Sequence, residues 1–166
     1  FESKENKFEG IFKYFQTNCN IDDELNITAS SKECDIKNVL KFDDLSAFFQ
    51  TNDTQNQWIC FEFKKHHIIP SSYIIRTINY ENNYHLKSWV LEGSNDNSNW
   101  FTIDERKNDS SLRGKSRVHL FSISKDHNEK SFKYLRIRQT GPNWYDNNDS
   151  YHLLLIGCIE FYGNLI

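Results

Sequence analysis

The sequence contains no methionine and only six glycines among its 166 residues. So few glycines leave no phosphate-binding Gly-rich loop, and no G-x-S-x-G nucleophile motif or H-E-x-x-H zinc motif is present. Catalytic activity is therefore not expected. Because the chain begins at Phe1 and lacks methionine, we expect it to be a fragment of a larger protein.

Long apolar runs and an excess of charge of one sign are also missing. No run approaches the roughly 20 apolar residues that a membrane-spanning helix needs. The 20 basic and 23 acidic side chains are spread along the chain and give a net charge of −3. A nucleic-acid partner is therefore not expected.

The four cysteines are few and do not form a C-x-x-C motif. Cys60 and Cys158 lie in apolar, strand-like segments, where a buried free thiol is common. Free thiols are typical of a reducing compartment, so an intracellular (cytoplasmic) location is favoured. An extracellular or cell-surface location stays open, because four N-x-[ST] sequons are present at Asn26, Asn52, Asn108 and Asn148.

The chain does contain many aromatic residues, at 15% of the composition, and many short segments with strand-like patterns. Polar turns separate these segments, and helix-length periodic stretches are missing between them. Only Phe8–Gln16 and Asp43–Gln50 are predicted to form a helical turn or two. The sequence predicts an all-β protein, an antiparallel β-sandwich or jelly roll, in a single domain over residues 1–166. The predicted strands are Glu24–Ser30, Trp58–Phe63, Ser72–Tyr80, Lys87–Ser94, Trp100–Glu105, Arg117–Ile123, Phe132–Gln139 and His152–Tyr162.

Two of these segments carry more detail. Phe132–Gln139 alternates, which predicts Leu135 and Ile137 on the core face and Tyr134, Arg136 and Arg138 on the outer face. The last segment is long and has Gly157 in its middle. A bend, a bulge or two separate strands are expected there.

The segment from Ser88 to Trp100 predicts a β-hairpin, closed by an Asn- and Ser-rich turn and anchored in the core by Trp89 and Trp100. Its Gly-Ser-Asn-Asp-x3-Trp pattern resembles the discoidin (coagulation factor 5/8 type C) family. Further segments resemble that family in order and spacing. They are Ile27–Ser31, Trp58–Phe63, Phe132–Arg138, Thr140–Trp144 and Gly157–Gly163.

This resemblance implies a galactose-binding-like jelly roll whose ligands meet loops at one end of the sandwich. Domains of this kind bind carbohydrate, membrane lipid or protein, and the fold alone does not choose among them. The chain is most similar in character to intracellular eukaryotic members, which are often attached to BTB or ubiquitin-ligase modules. Many secreted members join their termini by a disulfide, but Phe1–Glu9 contains no cysteine that could pair with Cys158.

Two loops are the predicted ligand-binding surface, because both combine aromatic rings with amide and charged groups. Such surfaces suit a sugar ring or a protein partner. Trp144 has a second interpretation, in which it closes the end of the core. The candidate residues are Asn82, Asn83, Tyr84, His85, Lys87, Asn143, Trp144, Tyr145 and Asp146.

A calcium site is a further, subordinate hypothesis. Some sugar-binding relatives hold calcium with an early acidic loop and a Glu in the last strand, and oxygen ligands suit this ion. The alternative is a solvated loop between Lys41 and Gln57 that packs on the sandwich through Phe48 and Phe49. The candidate calcium ligands are Asp43, Asp44, Asn52, Asp53 and Glu160.

Arg136 and Arg138 leave two interpretations open. They could form a basic strip for anionic lipid, or they could pair across the sheet with a glutamate at position 92, 105 or 160; the pairing is favoured. A non-catalytic protein–protein interaction or scaffold module is the main functional prediction. An extracellular, lectin-like carbohydrate-binding module is the alternative, and a membrane-lipid partner ranks third. No cofactor is predicted apart from the calcium hypothesis.

Overall fold

The computed structural model of the protein describes residues 1–3, 7–81, 84–124, 126, 129–145 and 151–166. Helix is confined to short segments. They are α1 (Ile11–Asn18), α2 (Ile21–Glu24) and two 3₁₀ helices, Ile36–Leu40 and Ser110–Leu112. The described strands are β1 (Leu25–Ala29), β2 (Phe49–Gln50), β3 (Trp58–Phe63), β4 (Ile68–Arg76), β5 (Trp89–Ser94), β6 (Phe101–Arg106), β7 (Val118–Ser122), β8 (Tyr134–Gln139), β9 (Leu155–Ile156) and β10 (Cys158–Leu165).

The strands form two packed antiparallel sheets with a small third sheet beside them. The larger sheet has the order β1-β3-β8-β5-β6, the smaller one β10-β4-β7, and β2 pairs with β9. This arrangement confirms the predicted antiparallel β-sandwich. The alternation predicted for β8 is also confirmed, because Leu135 and Ile137 are fully buried.

Aromatic side chains join the two main sheets across the core. The ring of Phe61 on β3 meets Phe161 on β10 at 5.5 Å, and Trp89 on β5 meets Phe121 on β7 at 5.2 Å, both edge to face. Edge-to-face pairs of this kind add to the stabilisation that burial of the rings already provides. Phe12 of α1 packs on both Phe61 and Phe161, so this helix closes one side of the sandwich.

The last segment forms two strands, which is one of the alternatives that its central glycine left open. β9 ends at Ile156 and β10 begins at Cys158. The N–H of Gly157 donates to the carbonyl of Arg76, and a Cβ at this position would lie 2.9 Å from the carbonyl oxygens of Arg76 and Thr77. A residue without a side chain is therefore required where the chain passes between these strands.

The predicted helical turn over Asp43–Gln50 is wrong. Asp44 accepts hydrogen bonds from the backbone N–H and the hydroxyl of Ser46, which closes a local turn. Phe49 and Gln50 then pair with β9. Phe49 is fully buried and holds the segment on the sandwich, whereas Phe48 is 36% exposed.

Trp89 anchors its hairpin in the core as predicted, but Trp100 does not. Trp100 is half-buried, and the guanidinium of Arg136 lies 3.8 Å from the centre of its ring. All four cysteines are free thiols. Burial raises the pKa of the Cys60 thiol to about 12 and that of the Cys158 thiol to about 12. Within the described ranges, no helix is long and apolar enough to cross a membrane.

Candidate functional site

Long loops meet at one end of the sandwich, which we call the loop end. In the larger sheet, β1, β6 and β8 end there and β3 and β5 begin there, as the antiparallel registers require. Two backbone hydrogen bonds join the loops around residues 77–88 and 140–154. The Thr140 N–H donates to the Ser88 carbonyl, and the Trp144 N–H donates to the His85 carbonyl. The loop end is therefore a connected surface.

Three tyrosines form a ring cluster on this surface. Tyr84 and Tyr145 stack in parallel with their centroids 4.1 Å apart, and Tyr151 meets both of them edge to face, at 5.4 and 4.7 Å. Burial raises the pKa of Tyr84, and its hydrogen bond with Tyr145 raises it further. All three rings are half-buried, so parts of the cluster face solvent.

Asn143 positions the loop that carries Tyr145 and Tyr151. It is 1% exposed, its backbone N–H donates to the Tyr151 carbonyl, and its side-chain oxygen accepts from the Tyr145 N–H at 3.0 Å. Its amide nitrogen also donates to the Leu153 carbonyl at 3.4 Å. This candidate residue therefore shapes the loop from inside rather than facing a ligand.

Trp144 is half-buried against the neighbouring loop. Its indole N–H donates to the Asp109 carbonyl at 3.3 Å, and the cations of Lys87 and Arg113 lie 4.9 and 4.6 Å from its ring centre. Cation–π contacts of this kind hold the ring in place. Trp144 and Lys87 thus contact each other, and the aromatic ring already has two cationic partners.

His85 does not face the surface, contrary to its selection as a ligand-facing residue. It is 1% exposed, and neither ring nitrogen has a hydrogen-bond partner among the described residues. Burial lowers the pKa of its imidazole. Its neighbour Leu86 is also buried, at 1% exposure. Residue type favours an exposed position for a histidine in a polar loop, so its burial could not be predicted from sequence.

A polar pocket of about 230 Å³ opens at the loop end, and its lining includes His152, which follows Tyr151 in the chain. Its described lining residues include two with side-chain amides, one with a hydroxyl and one with an imidazole, together with Gly141 and Pro142. The guanidinium of Arg138 donates to the Asn56 side-chain oxygen at 3.4 Å, and the His152 backbone N–H donates to Asp53 at 2.6 Å. The lining residues are Gln55, Asn56, Thr140, Gly141, Pro142 and His152.

A second cavity is an apolar groove of about 310 Å³. Ile78 and Leu155 line it and also belong, with Leu153, to a small buried cluster on which Tyr84 packs. The remaining lining residues are Phe48, Gln50 and Tyr80. Tyr80 is 70% exposed, which makes it the most exposed large apolar side chain of the described residues.

The structure thus brings Tyr84 and Tyr145 together and places Lys87 with Trp144. The candidates Asn82, Asn83 and Asp146 lie outside the described residues. Sequence analysis missed Tyr151 and His152, because both were assigned to or next to the last strand segment, whereas β9 begins only at Leu155. It also did not select Gln55 and Asn56, which line a pocket and lie in the loop that was proposed either to bind calcium or to be a solvated loop.

The calcium candidates are not gathered into one site. Glu160 is fully buried, and its carboxylate accepts hydrogen bonds from the Phe12, Lys13 and Phe161 N–H groups at 2.8 Å each. Asp43 faces Lys13 at 3.6 Å. Asp44 is engaged with Ser46, and Asn52 is exposed. Among the described residues, no group of three or more His, Cys, Asp or Glu side chains could hold a metal ion.

The two arginines of β8 pair across the sheet, which confirms the favoured interpretation. Both hold the carboxylate of Glu92, Arg136 at 2.7 Å and Arg138 at 2.8 Å. These hydrogen bonds lower the pKa of Glu92 against the opposing effect of burial. Their guanidinium groups are therefore committed to the sheet instead of forming a free basic strip for anionic lipid.

No protein-family model matches the sequence. Among curated proteins, the chain is similar to the E3 ubiquitin-protein ligase Ufd4 of Drosophila melanogaster, with 26% identity over 132 residues. The alignment covers 79% of this chain but 5% of the length of Ufd4. The chain therefore corresponds to a small part of that relative.

Solved structures share the fold at low sequence identity. CBM32-3 from a family 31 glycoside hydrolase of Clostridium perfringens has a TM-score of 0.64 and 16% identity, over 85% of this chain and 92% of that one. A C. perfringens CBM32 in complex with GalNAc-β-1,3-galactose gives 0.61 and 12%, over 84% and 95%. The family 32 CBM of C. perfringens NanJ, in complex with galactose, gives 0.60 and 13%, over 82% and 92%. These likenesses give the chain the galactose-binding-like β-sandwich fold of the carbohydrate-binding modules.

Proposed function

We propose that this chain is a non-catalytic binding module that holds a sugar in the polar pocket of the loop end. The observation that carries the proposal is the chemistry of that pocket. The amides of Gln55 and Asn56, the Thr140 hydroxyl and the His152 imidazole each combine donor and acceptor capacity. Sugar hydroxyls have the same dual capacity, and the described lining contains no carboxylate that would favour a cation.

The tyrosine cluster supports the same proposal. Tyr145 and Tyr151 lie on the loop that also supplies Gly141, Pro142 and His152 to the pocket. Ring faces beside a polar pocket provide the apolar contact that orients a small ligand. The buried Asn143 hydrogen-bonds to Tyr145 and Tyr151 within this loop, so the rings and the pocket residues of the loop are positioned together.

The structural likenesses favour a carbohydrate over the protein partner that ranked first on sequence alone. Two of the similar structures are complexes, one with galactose and one with GalNAc-β-1,3-galactose. Both are neutral sugars, in keeping with a pocket that is lined by amide and hydroxyl groups.

Calorimetric titration with galactose and with GalNAc-β-1,3-galactose tests the proposal. The His152→Ala variant removes the imidazole but keeps the backbone N–H that donates to Asp53. Affinity is expected to fall roughly two- to tenfold, the effect of losing one neutral hydrogen bond to a ligand. His67→Ala, at an exposed histidine between β3 and β4, is the matched control. The proposal fails if neither sugar binds saturably or if both variants bind like the wild type.

A protein-interaction module is the second candidate function, and the likeness to Ufd4 favours it. The experiment that separates the two functions is capture of partners by the immobilised domain before and after enzymatic deglycosylation of the partners. Capture that survives deglycosylation and excess galactose, but is lost in a Tyr84→Ala/Tyr145→Ala variant, supports recognition of a polypeptide. Capture that disappears on deglycosylation supports the sugar.

A further inference from the structure

Tyr84 and Tyr145 stack face to face where two separate segments of the chain meet. Their ring centroids are 4.1 Å apart and their planes are inclined by 8°. Carbon atoms in van der Waals contact are about 3.5 to 4.0 Å apart, so the two ring faces touch. A hydrogen bond also joins the two side chains. It places the phenolic oxygens side by side, and ring carbons ortho to those oxygens therefore lie next to each other.

The backbone around the two tyrosines holds the stacked pair in this arrangement. The Trp144 N–H donates to the His85 carbonyl at 3.1 Å, and these two residues are the sequence neighbours of Tyr145 and Tyr84. The side-chain oxygen of the buried Asn143 accepts the Tyr145 N–H at 3.0 Å. Both tyrosine rings are half-buried, so a small oxidant reaches them from solvent. The contact between the rings is thus both preformed and accessible.

Two phenols in contact can be joined by one-electron oxidation. Each tyrosine loses one electron and its hydroxyl proton, and the unpaired electron of the phenoxyl radical is shared with the ortho carbons. Two such radicals held together couple by forming a carbon–carbon bond between ortho positions, a step that fixed proximity favours. The hydrogen on each of these carbons then moves to the phenolic oxygen. Hydrogen peroxide, activated by a haem peroxidase, accepts the two electrons and two protons and becomes two molecules of water.

We propose that Tyr84 and Tyr145 are an oxidative modification site, at which peroxide and a peroxidase join the two rings into an intramolecular dityrosine. The new bond fixes the segments around residues 77–88 and 140–154 against each other. Tyr151 is not the coupling partner, because it meets both rings edge to face, at centroid distances of 5.4 and 4.7 Å, and is stacked on neither.

Treatment of the dilute protein with hydrogen peroxide and a haem peroxidase tests the proposal. Proteolysis after basic residues and before aspartates separates Tyr145 from Tyr151 and releases the peptides 77–87 and 139–145. We expect the monomer to lose the mass of two hydrogen atoms, to acquire the blue fluorescence of dityrosine and to yield these two peptides joined to each other.

Phenylalanine variants identify the residues that react. Tyr84→Phe and Tyr145→Phe are each expected to abolish the joined peptides, because phenylalanine keeps the ring but has no hydroxyl from which a phenoxyl radical forms. Tyr80→Phe is the matched control, since Tyr80 lies on the same peptide as Tyr84 and is 70% exposed. This variant and Tyr151→Phe are expected to yield the joined peptides as the wild type does.

Three results would overturn the assignment of this site. The first is a monomer that acquires no crosslink under conditions in which free tyrosine is converted to dityrosine. The second is a crosslink that survives Tyr84→Phe or Tyr145→Phe, or that is lost in Tyr80→Phe. The third is coupling only between molecules, because exposed tyrosines and not the stacked pair would then be reacting.

Discussion

Gly10 lies at the start of α1, next to the carboxylate of Glu160. It precedes α1 and offers no capping side chain. The carboxylate of Glu160, on the last strand, takes that role by accepting the N–H groups of Phe12 and Lys13. A Cβ on Gly10 would lie 2.3 Å from the Phe161 carbonyl oxygen and 2.7 Å from Glu160 Cγ. The missing side chain therefore makes room for the cap.

The Gly10→Ala substitution is expected to lower the free energy of unfolding by roughly 1 to 3 kcal/mol, the usual effect of forcing extra volume into a packed site. Gly141→Ala is the matched control. Its Cβ would make an ordinary contact with Ser88 Cβ at 3.5 Å, so stability should stay the same or rise by at most about 1 kcal/mol. Urea denaturation measures both. Equal stabilities of the two variants would contradict the role assigned to Gly10.

The positions of individual side chains were predicted less well from sequence than the strands. Residue type alone predicts a core position for Trp100 and a surface position for His85, yet Trp100 lies beside Arg136 on the outer face and His85 is buried. A turn of the chain decides such directions, and turn geometry in Asn-rich loops is poorly determined by residue type. In contrast, the pairing of Arg136 and Arg138 with Glu92 follows from strand alternation and opposite charge.

At the scale of strands, a chain of hydrogen bonds joins the two sheets inside the core. Trp89 on β5 donates its indole N–H to the hydroxyl of Tyr73 on β4 at 2.9 Å. That hydroxyl donates to Asp104 on β6 at 2.7 Å, and Arg106 also donates to Asp104. Burial and the neighbouring Asp104 raise the pKa of Tyr73, so the hydroxyl keeps its proton.

Replacing Tyr73 by phenylalanine removes the acceptor of a buried indole N–H. The expected loss is roughly 1 to 3 kcal/mol of unfolding free energy, because an unsatisfied buried donor carries its full desolvation cost. Tyr134→Phe removes a half-buried hydroxyl that donates to Glu62 at 3.2 Å and is expected to cost less than about 0.5 kcal/mol. Thermal denaturation of both variants tests this difference, and similar melting temperatures would argue against the inter-sheet network.

Most strands could be predicted from sequence because their inward residues alternate or form short apolar runs between turns. The bounds of β3 were predicted without error. Gly157 lies between the two strands β9 and β10, which is one of the arrangements predicted for it. β2 was missed because it has two residues, and its pairing with β9 comes from a partner more than 100 positions away in sequence. That distant pairing also overrides the helical pattern predicted for Asp43–Gln50.

At the scale of the whole molecule, Glu160 ties the first helix to the last strand across 148 sequence positions. Burial raises the pKa of its carboxyl from 4.5 to about 7, against the opposing effect of the backbone N–H groups. Between these two values the folded protein binds more protons than the unfolded chain, so the contribution of Glu160 to stability falls as the pH rises. The slope is at most roughly 1.4 kcal/mol per pH unit.

Comparison of the wild type with Glu160→Gln at several pH values between about 4.5 and 8 isolates this contribution, because an amide does not titrate there. The difference in unfolding free energy between the two proteins should shift in favour of the variant as the pH rises through 7. Burial lowers the pKa of His85, which acts in the opposite direction below about pH 6.5, but His85 is common to both proteins and cancels in the difference. A difference that stays constant with pH would refute the assignment.

The small buried cluster of Ile78, Leu153 and Leu155 is separate from the main core, which contains residues of the two sheets and α1 together with loop residues such as Leu86 and Leu154. Tyr84 of the tyrosine cluster and the groove residues Ile78 and Leu155 therefore pack apart from the main core. For a protein engineer, this separation means that the exposed parts of the segments around residues 77–88 and 140–155 could be varied together, provided that Leu86 and Leu154, which belong to the main core, are kept. New ligand preferences could then be selected on an unaltered sandwich, and a failed selection would cost affinity without costing the fold.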